Sequence, residues 1–230
     1  MLINSLLIVT GVLLDFWFIS KEFKNKFISA TVLKGLAAAF FVALGAVQFF
    51  RNETFFGLLV VLGLALGMAG DILLALKECL DENKGKKVFA LGILAFMVGH
   101  YLYIASLFYA NSSILNSALI ICMILSFSAI PPLLKRITAP SKGLYIFGIS
   151  YLVIVVGMFS SSLANLIFQE ISAWKILFWT GALLFLISDF VLVYNTFGPK
   201  KTKTLRVINL LTYYAGQVII ALTIFYFPSV

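Results

Sequence analysis

FFGLLVVLGLALGMAGDILLALKECLDENKGKK, residues 55–87, runs apolar from Phe55 to Leu76 with one ionisable interruption, Asp71, and then turns abruptly charged. An apolar run of this length matches the ~20 residues a helix needs to cross a ~30 Å hydrocarbon core. A charged loop at its end is what a chain leaving a bilayer requires. The pattern recurs along the chain. Apolar runs fall at about 1–19, 28–50, 54–77, 87–109, 114–134, 143–163, 173–197 and 205–227. They are too long, and too apolar on every face, for barrel strands, which alternate.

Composition agrees. Of 230 residues, 62% are hydrophobic and 11% charged, against roughly 25% charged in a soluble domain. Mean hydropathy is +1.09. The expected fold is an all-α membrane protein, eight transmembrane helices in one bundle, forming a single transmembrane domain over 1–230. The first span is not expected to be a signal peptide, because its positive cluster follows the apolar run and Asp15 interrupts it.

The basic residues set the orientation. Lys21, Lys24 and Lys26 follow span 1. Lys77, Lys84, Lys86 and Lys87 follow span 3. Lys135, Arg136 and Lys142 follow span 5, and Lys200, Lys201, Lys203 and Arg206 follow span 7. These are most of the 17 basic residues, all in alternate loops. The positive-inside rule puts those loops in the cytoplasm and both termini outside, in a plasma (inner) membrane. The net charge of +8 is therefore a topology signal and not a nucleic-acid surface. The sequons at Asn52 and Asn111 fall on the outer side but hug the membrane, and read as chance.

Ionisable groups inside spans are costly and by default functional. At ~1.5 Å per residue, Asp15 and Asp71 lie ~9 Å from the nearest basic loop, Tyr213 ~10 Å, Lys34 ~12 Å and Asp189 ~13 Å. Gln217 at ~16 Å and His100 at ~20 Å lie deeper. Five helices thus place a polar group in one tier, with Tyr214 beside it. Lys34 is the natural ion-pair partner for Asp15 or Asp71.

One histidine and two separated cysteines argue against a zinc site. A serine triad lacks a GxSxG elbow, and a retinal-type Schiff base lacks a lysine in a late span. Paired carboxyls remain, one protonated and one ionised, which suits reactions through an oxocarbenium ion. A proton relay in a transporter or lipid flippase uses the same residue types, although no pair of spans carries matching helix-breaking prolines. A weak internal echo aligns FALGILAFMVGH (89–100) with FWTGALLFLISD (178–189), and a rival one aligns AGDILL in span 3 with ISDFVL in span 7.

GDILLAL in span 3, FALGILAFMVGHYLYI in span 4, GALLFLISDFVLV in span 7 and TYYAGQVIIAL in span 8 together resemble the YhhN family of lysoplasmalogenases. Lys34 in VLKGLAAA also fits, with Gly35 where that family often has Pro. The resemblance implies an eight-helix enzyme cleaving the vinyl-ether bond of lysoplasmalogens to a fatty aldehyde and glycerophosphocholine or glycerophosphoethanolamine. Its partner would be a lysoplasmalogen or related ether lysophospholipid in the bilayer, with no metal or organic cofactor. Asp71 and Asp189 would be the catalytic acids, treated as a coupled pair. Lys34, His100, Tyr213, Tyr214 and Gln217 would position substrate or water, and Asp15 would be an ion-pair partner.

Overall fold

The computed structural model describes residues 2–111, 117–138, 142–168 and 170–228. Among them the regular structure is helical: α1 (Leu2–Phe23), α2 (Phe27–Phe49), α3 (Phe55–Leu76), α4 (Glu82–Ala110), α5 (Ser117–Phe127), α6 (Ile130–Leu134), α7 (Lys142–Ile167), α8 (Ala173–Phe197) and α9 (Lys203–Tyr226). With no water to satisfy backbone N–H and C=O groups, an apolar chain in a bilayer closes those bonds within itself as helix. Seven of these helices are long and apolar enough to cross a membrane. The chain is a multi-pass integral membrane protein.

Local chemistry sets the helix ends. Thr54, Asp81 and Thr202 precede α3, α4 and α9, and the side chain of each accepts a backbone N–H of the first turn. That satisfies donors the helix leaves open. The α1–α2 turn is tight and passes through Asn25 at φ 55°, a left-handed conformation that asparagine tolerates better than most residues.

The fifth span departs from expectation. In place of one helix over 114–134 there are two short ones, α5 and α6, and residues 112–116 lie outside the described residues. Pro131 and Pro132 stand in the first turn of α6, which carries the apolar stretch to its end at Leu134. Proline lacks the N–H that would continue α5, but at a helix start that donor is not needed.

The packing order is a ring. α2 packs on α3, α3 on α4, α4 on α7, α7 on α8, α8 on α9, and α9 returns to α2. α1 lies outside the ring on α2 and α9, and α5 lies outside on α7. Apolar side chains such as Leu6, Leu13, Leu94, Ile124 and Ile146 face outward, as a lipid-facing surface requires. The tightest crossing joins α8 to α9. A Cβ added at Gly216 would stand 2.9 Å from the Gly181 carbonyl oxygen, and one at Gly181 would stand 3.0 Å from that of Gly216. In a bilayer, where helices gain little from the hydrophobic effect, such small-residue contacts supply the packing. Gly216→Val is expected to destabilise the protein by about 1–3 kcal/mol through overpacking, read as a lowered Tm in detergent.

Candidate active site

Each of the six ring helices sends at least one polar side chain inward, among them Lys34 from α2, Asp71 from α3, His100 from α4, Tyr151 from α7, Asp189 from α8 and Tyr213 from α9. All six are buried. They divide into two carboxyl centres.

The first centre is Asp71. The Lys34 ammonium stands 3.0 Å from its Oδ1, and the Tyr213 hydroxyl donates to its Oδ2 at 2.8 Å. Behind Tyr213 the network continues. The Gln217 amide nitrogen donates to the Tyr213 oxygen at 3.2 Å, and Tyr103 donates to the Gln217 oxygen at 2.8 Å. Every donor in this line points towards Asp71, so each bond polarises the next and stabilises negative charge there. Gly67 makes room for it, since a Cβ at that position would meet the Gln217 amide at 2.9 Å.

The second centre is Asp189, whose Oδ2 accepts the Tyr151 hydroxyl at 2.7 Å. Among the described residues no cation stands within ion-pair distance of it. Its neighbour Ser188 locks α8 to α9: the Asn209 side chain donates to the Ser188 hydroxyl at 2.7 Å and to its carbonyl at 3.1 Å. Arg206 then donates to the Asn209 side-chain oxygen and grips both carboxylate oxygens of Glu22, at 2.8 and 3.0 Å. That fork ties α1 to the ring at the end where the basic loops emerge.

Aromatic rings separate the two centres. Phe185 meets Tyr213 edge to face at 5.2 Å and His100 at 4.4 Å. His100 in turn meets Tyr151 at 5.8 Å. The His100 Nδ1–H donates to the Phe96 carbonyl at 2.7 Å, and its Nε2 is buried without a partner among the described residues. The sequence echo has a structural counterpart here. Its aligned phenylalanines, Phe96 and Phe185, both stand edge-on to Tyr213, and its aligned ends, His100 and Asp189, both meet Tyr151.

Asp71 and Asp189 are each held by their own donors, and no hydrogen bond joins them among the described residues. One expectation is corrected: Asp15 is not the ion-pair partner. Lys34 pairs with Asp71, and Asp15 takes part in no ion pair within 4 Å among the described residues. Asp15 lies outside the ring, on α1, in a groove it shares with Tyr214. Tyr214 donates a long bond, 3.4 Å, to the Lys34 carbonyl and touches neither carboxyl centre through its hydroxyl.

Tyr103 and Tyr151 were not singled out from the sequence. For Tyr103 a signal exists, since it follows His100 by three residues and so shares its helix face. For Tyr151 none does, because α7 carries no ionisable group within its apolar stretch to draw attention to that face.

The fold and site define a class: a helical membrane protein with two buried carboxyl centres inside a ring of helices. The family model of the YhhN family matches residues 29–224, which takes in the ring helices except the first residues of α2 and the last of α9. The chain belongs to the YhhN family. No curated protein and no solved structure is significantly similar to it.

Proposed function

We propose that the protein is a hydrolase that cleaves the vinyl-ether bond of lysoplasmalogens, releasing a fatty aldehyde and glycerophosphocholine or glycerophosphoethanolamine. The observation that carries this is the presence of two buried carboxyls in unlike surroundings, one paired with a cation and one not. Membership of the YhhN family supports it. The basic loops face the cytoplasm of a plasma (inner) membrane, so the site lies beneath the inner leaflet headgroups, where the labile bond of a single-chain lipid sits.

The unlike surroundings divide the roles. Asp189, which no cation among the described residues faces, is the acid. Its proton goes to the enol-ether carbon remote from oxygen, the π electrons forming the new C–H bond. An oxygen lone pair then completes an oxocarbenium ion. Asp71, held as a carboxylate by Lys34 and Tyr213, stabilises that cation, and the faces of Phe185 and Tyr213 add to the stabilisation. Water adds to the cationic carbon and gives up a proton to a carboxylate. The His100 Nε2, an unused acceptor beside Phe185, orients that water. The hemiacetal then breaks into the aldehyde and the glycerol alcohol, a proton passing to the departing oxygen. The side chains of the protein supply every step.

The test is aldehyde release from a lysoplasmalogen by the detergent-purified protein. Turnover is expected with no second compartment and no ion gradient. A well-folded protein that releases no aldehyde would overturn the proposal, and proton-coupled flux in liposomes would then test the transporter or flippase alternative.

A further inference from the structure

At the end of the bundle where the basic loops emerge, the segment after α6 and the loop after α8 enclose a cavity of about 540 Å³. Lys135 and Arg136 line it from the first segment and Lys201 from the second, and Thr138 and Thr196 add hydroxyl-bearing residues to its wall. The two segments are tied together, since the Thr138 N–H donates to the Phe197 carbonyl at 2.8 Å. The loop after α8 is held in turn. Its Gly198 N–H donates to the Tyr194 carbonyl and its Thr202 N–H to the Asn195 side chain, each at 2.8 Å.

The charge of this cavity is uncompensated. No Asp or Glu occurs from Lys135 to Gln169 or after Asp189, and Asp189 is buried inside the ring. Lys135, Arg136 and Lys201 take part in no ion pair within 4 Å among the described residues. Basic residues elsewhere at this end are already engaged. Lys77, Lys84 and Lys86 each pair with a neighbouring carboxylate. Arg206 grips Glu22, and the Lys203 ammonium lies over the Phe23 ring at 5.2 Å. Membrane topology requires basic loops, but it does not require cations from two loops to converge on one cavity without a carboxylate.

The level of the cavity identifies the anion. α8 is long and apolar enough to cross the membrane and ends at Phe197, so the cavity lies at the depth of the lipid headgroups. Within two turns below it, Leu133 and Leu134 of α6 and Phe190 and Val193 of α8 are partly exposed members of one apolar cluster. A phosphate held in the cavity therefore has apolar surface directly beneath it for hydrocarbon chains. Basic pockets between membrane helices are suited to anionic headgroups, and a guanidinium fork matches phosphate geometry.

We propose that this cavity binds the headgroup phosphate of an anionic glycerophospholipid, with Arg136 as the fork and Lys135 and Lys201 as the neutralising charges. The chains run down the apolar surface of α6 and α8, and the bound lipid fastens the fifth span to the ring. The site uses neither carboxyl centre and is independent of the ether-hydrolase reading.

The experiment titrates the detergent-purified full chain with phosphatidylglycerol, phosphatidylcholine or inorganic phosphate at constant ionic strength and follows Tm. Phosphatidylglycerol is expected to raise Tm saturably and zwitterionic phosphatidylcholine to have little effect. The triple variant Lys135→Gln, Arg136→Gln, Lys201→Gln is expected to weaken the apparent affinity for phosphatidylglycerol by about 100-fold, roughly fivefold for each cation. A control, Lys24→Gln, Lys26→Gln, Lys87→Gln, removes the same charge from other loops at the same end of the bundle. Salt screens its distant charges, so it is expected to stay within about twofold of wild type. All six side chains are exposed, so both variants are expected to fold. Equal weakening in the two triple variants would reduce the effect to general surface charge and overturn the site. So would the absence of a Tm response to phosphatidylglycerol, or an equal response to phosphatidylcholine. Saturation by inorganic phosphate at the concentrations at which the lipid saturates would assign the cavity to a soluble phosphate and overturn the lipid.

Discussion

Asp189→Asn is expected to lower turnover of an alkenyl lysolipid by about 10²–10⁴-fold, the range of general acid catalysis, and to leave the protein folded. The geometry explains the second half. Asp189 meets one donor, the Tyr151 hydroxyl at 2.7 Å, and the Asn oxygen accepts that bond equally well. Removing the acidic proton therefore removes chemistry without stranding a charge. Asp71→Asn is expected to lose as much activity and to cost stability as well, because the Lys34 ammonium 3.0 Å away loses its counter-charge. Rates measured at matched folded fraction, with Tm alongside, separate the two. Full turnover in a folded Asp189→Asn protein would remove Asp189 from the mechanism.

Lys34→Met carries the largest expected effect on stability, a loss of about 3–5 kcal/mol, the usual result of leaving one partner of a buried ion pair alone. Lys34 and Asp71 are both buried, and each comes from a different helix of the ring. The double variant Lys34→Met with Asp71→Leu is expected to recover most of that loss, since apolar side chains of similar size often replace a buried pair at no cost. It is expected to stay inactive. Thermal unfolding of the single and double variants in one detergent checks the cycle. Equal Tm values for wild type and Lys34→Met would mean that the pair holds no structural weight, and Lys34 would then act on the substrate alone.

Much of the molecule was legible in its residues because a bilayer imposes strong one-dimensional rules. Span length follows from hydrocarbon thickness. The depth expected for Lys34, Asp71, Tyr213 and Asp189 rests on a fixed helical rise; the structure buries these four within the ring. The fifth span was the weak point. Its apolar composition is continuous, and whether Pro131 and Pro132 end a helix or begin one depends on where the preceding helix releases its backbone.

Depth is a property of one helix, and it was read from sequence. Azimuth is a property of neighbours, and it was not. Asp15 and Asp71 have the same estimated depth, yet Asp71 points into the ring and pairs with Lys34, while Asp15 faces a groove outside it. Asp71 and Asp189 are expected in one tier, yet rings of Phe185 and His100 stand between their networks. Tyr151, silent in the sequence, became the sole hydrogen-bond donor found for Asp189 among the described residues. The physical reason is common to all three. Apolar composition and helical rise act along a single chain segment, whereas the partner of a buried charge is chosen by which helices pack together and at what rotation, and glycine crossings such as Gly181 on Gly216 set that packing.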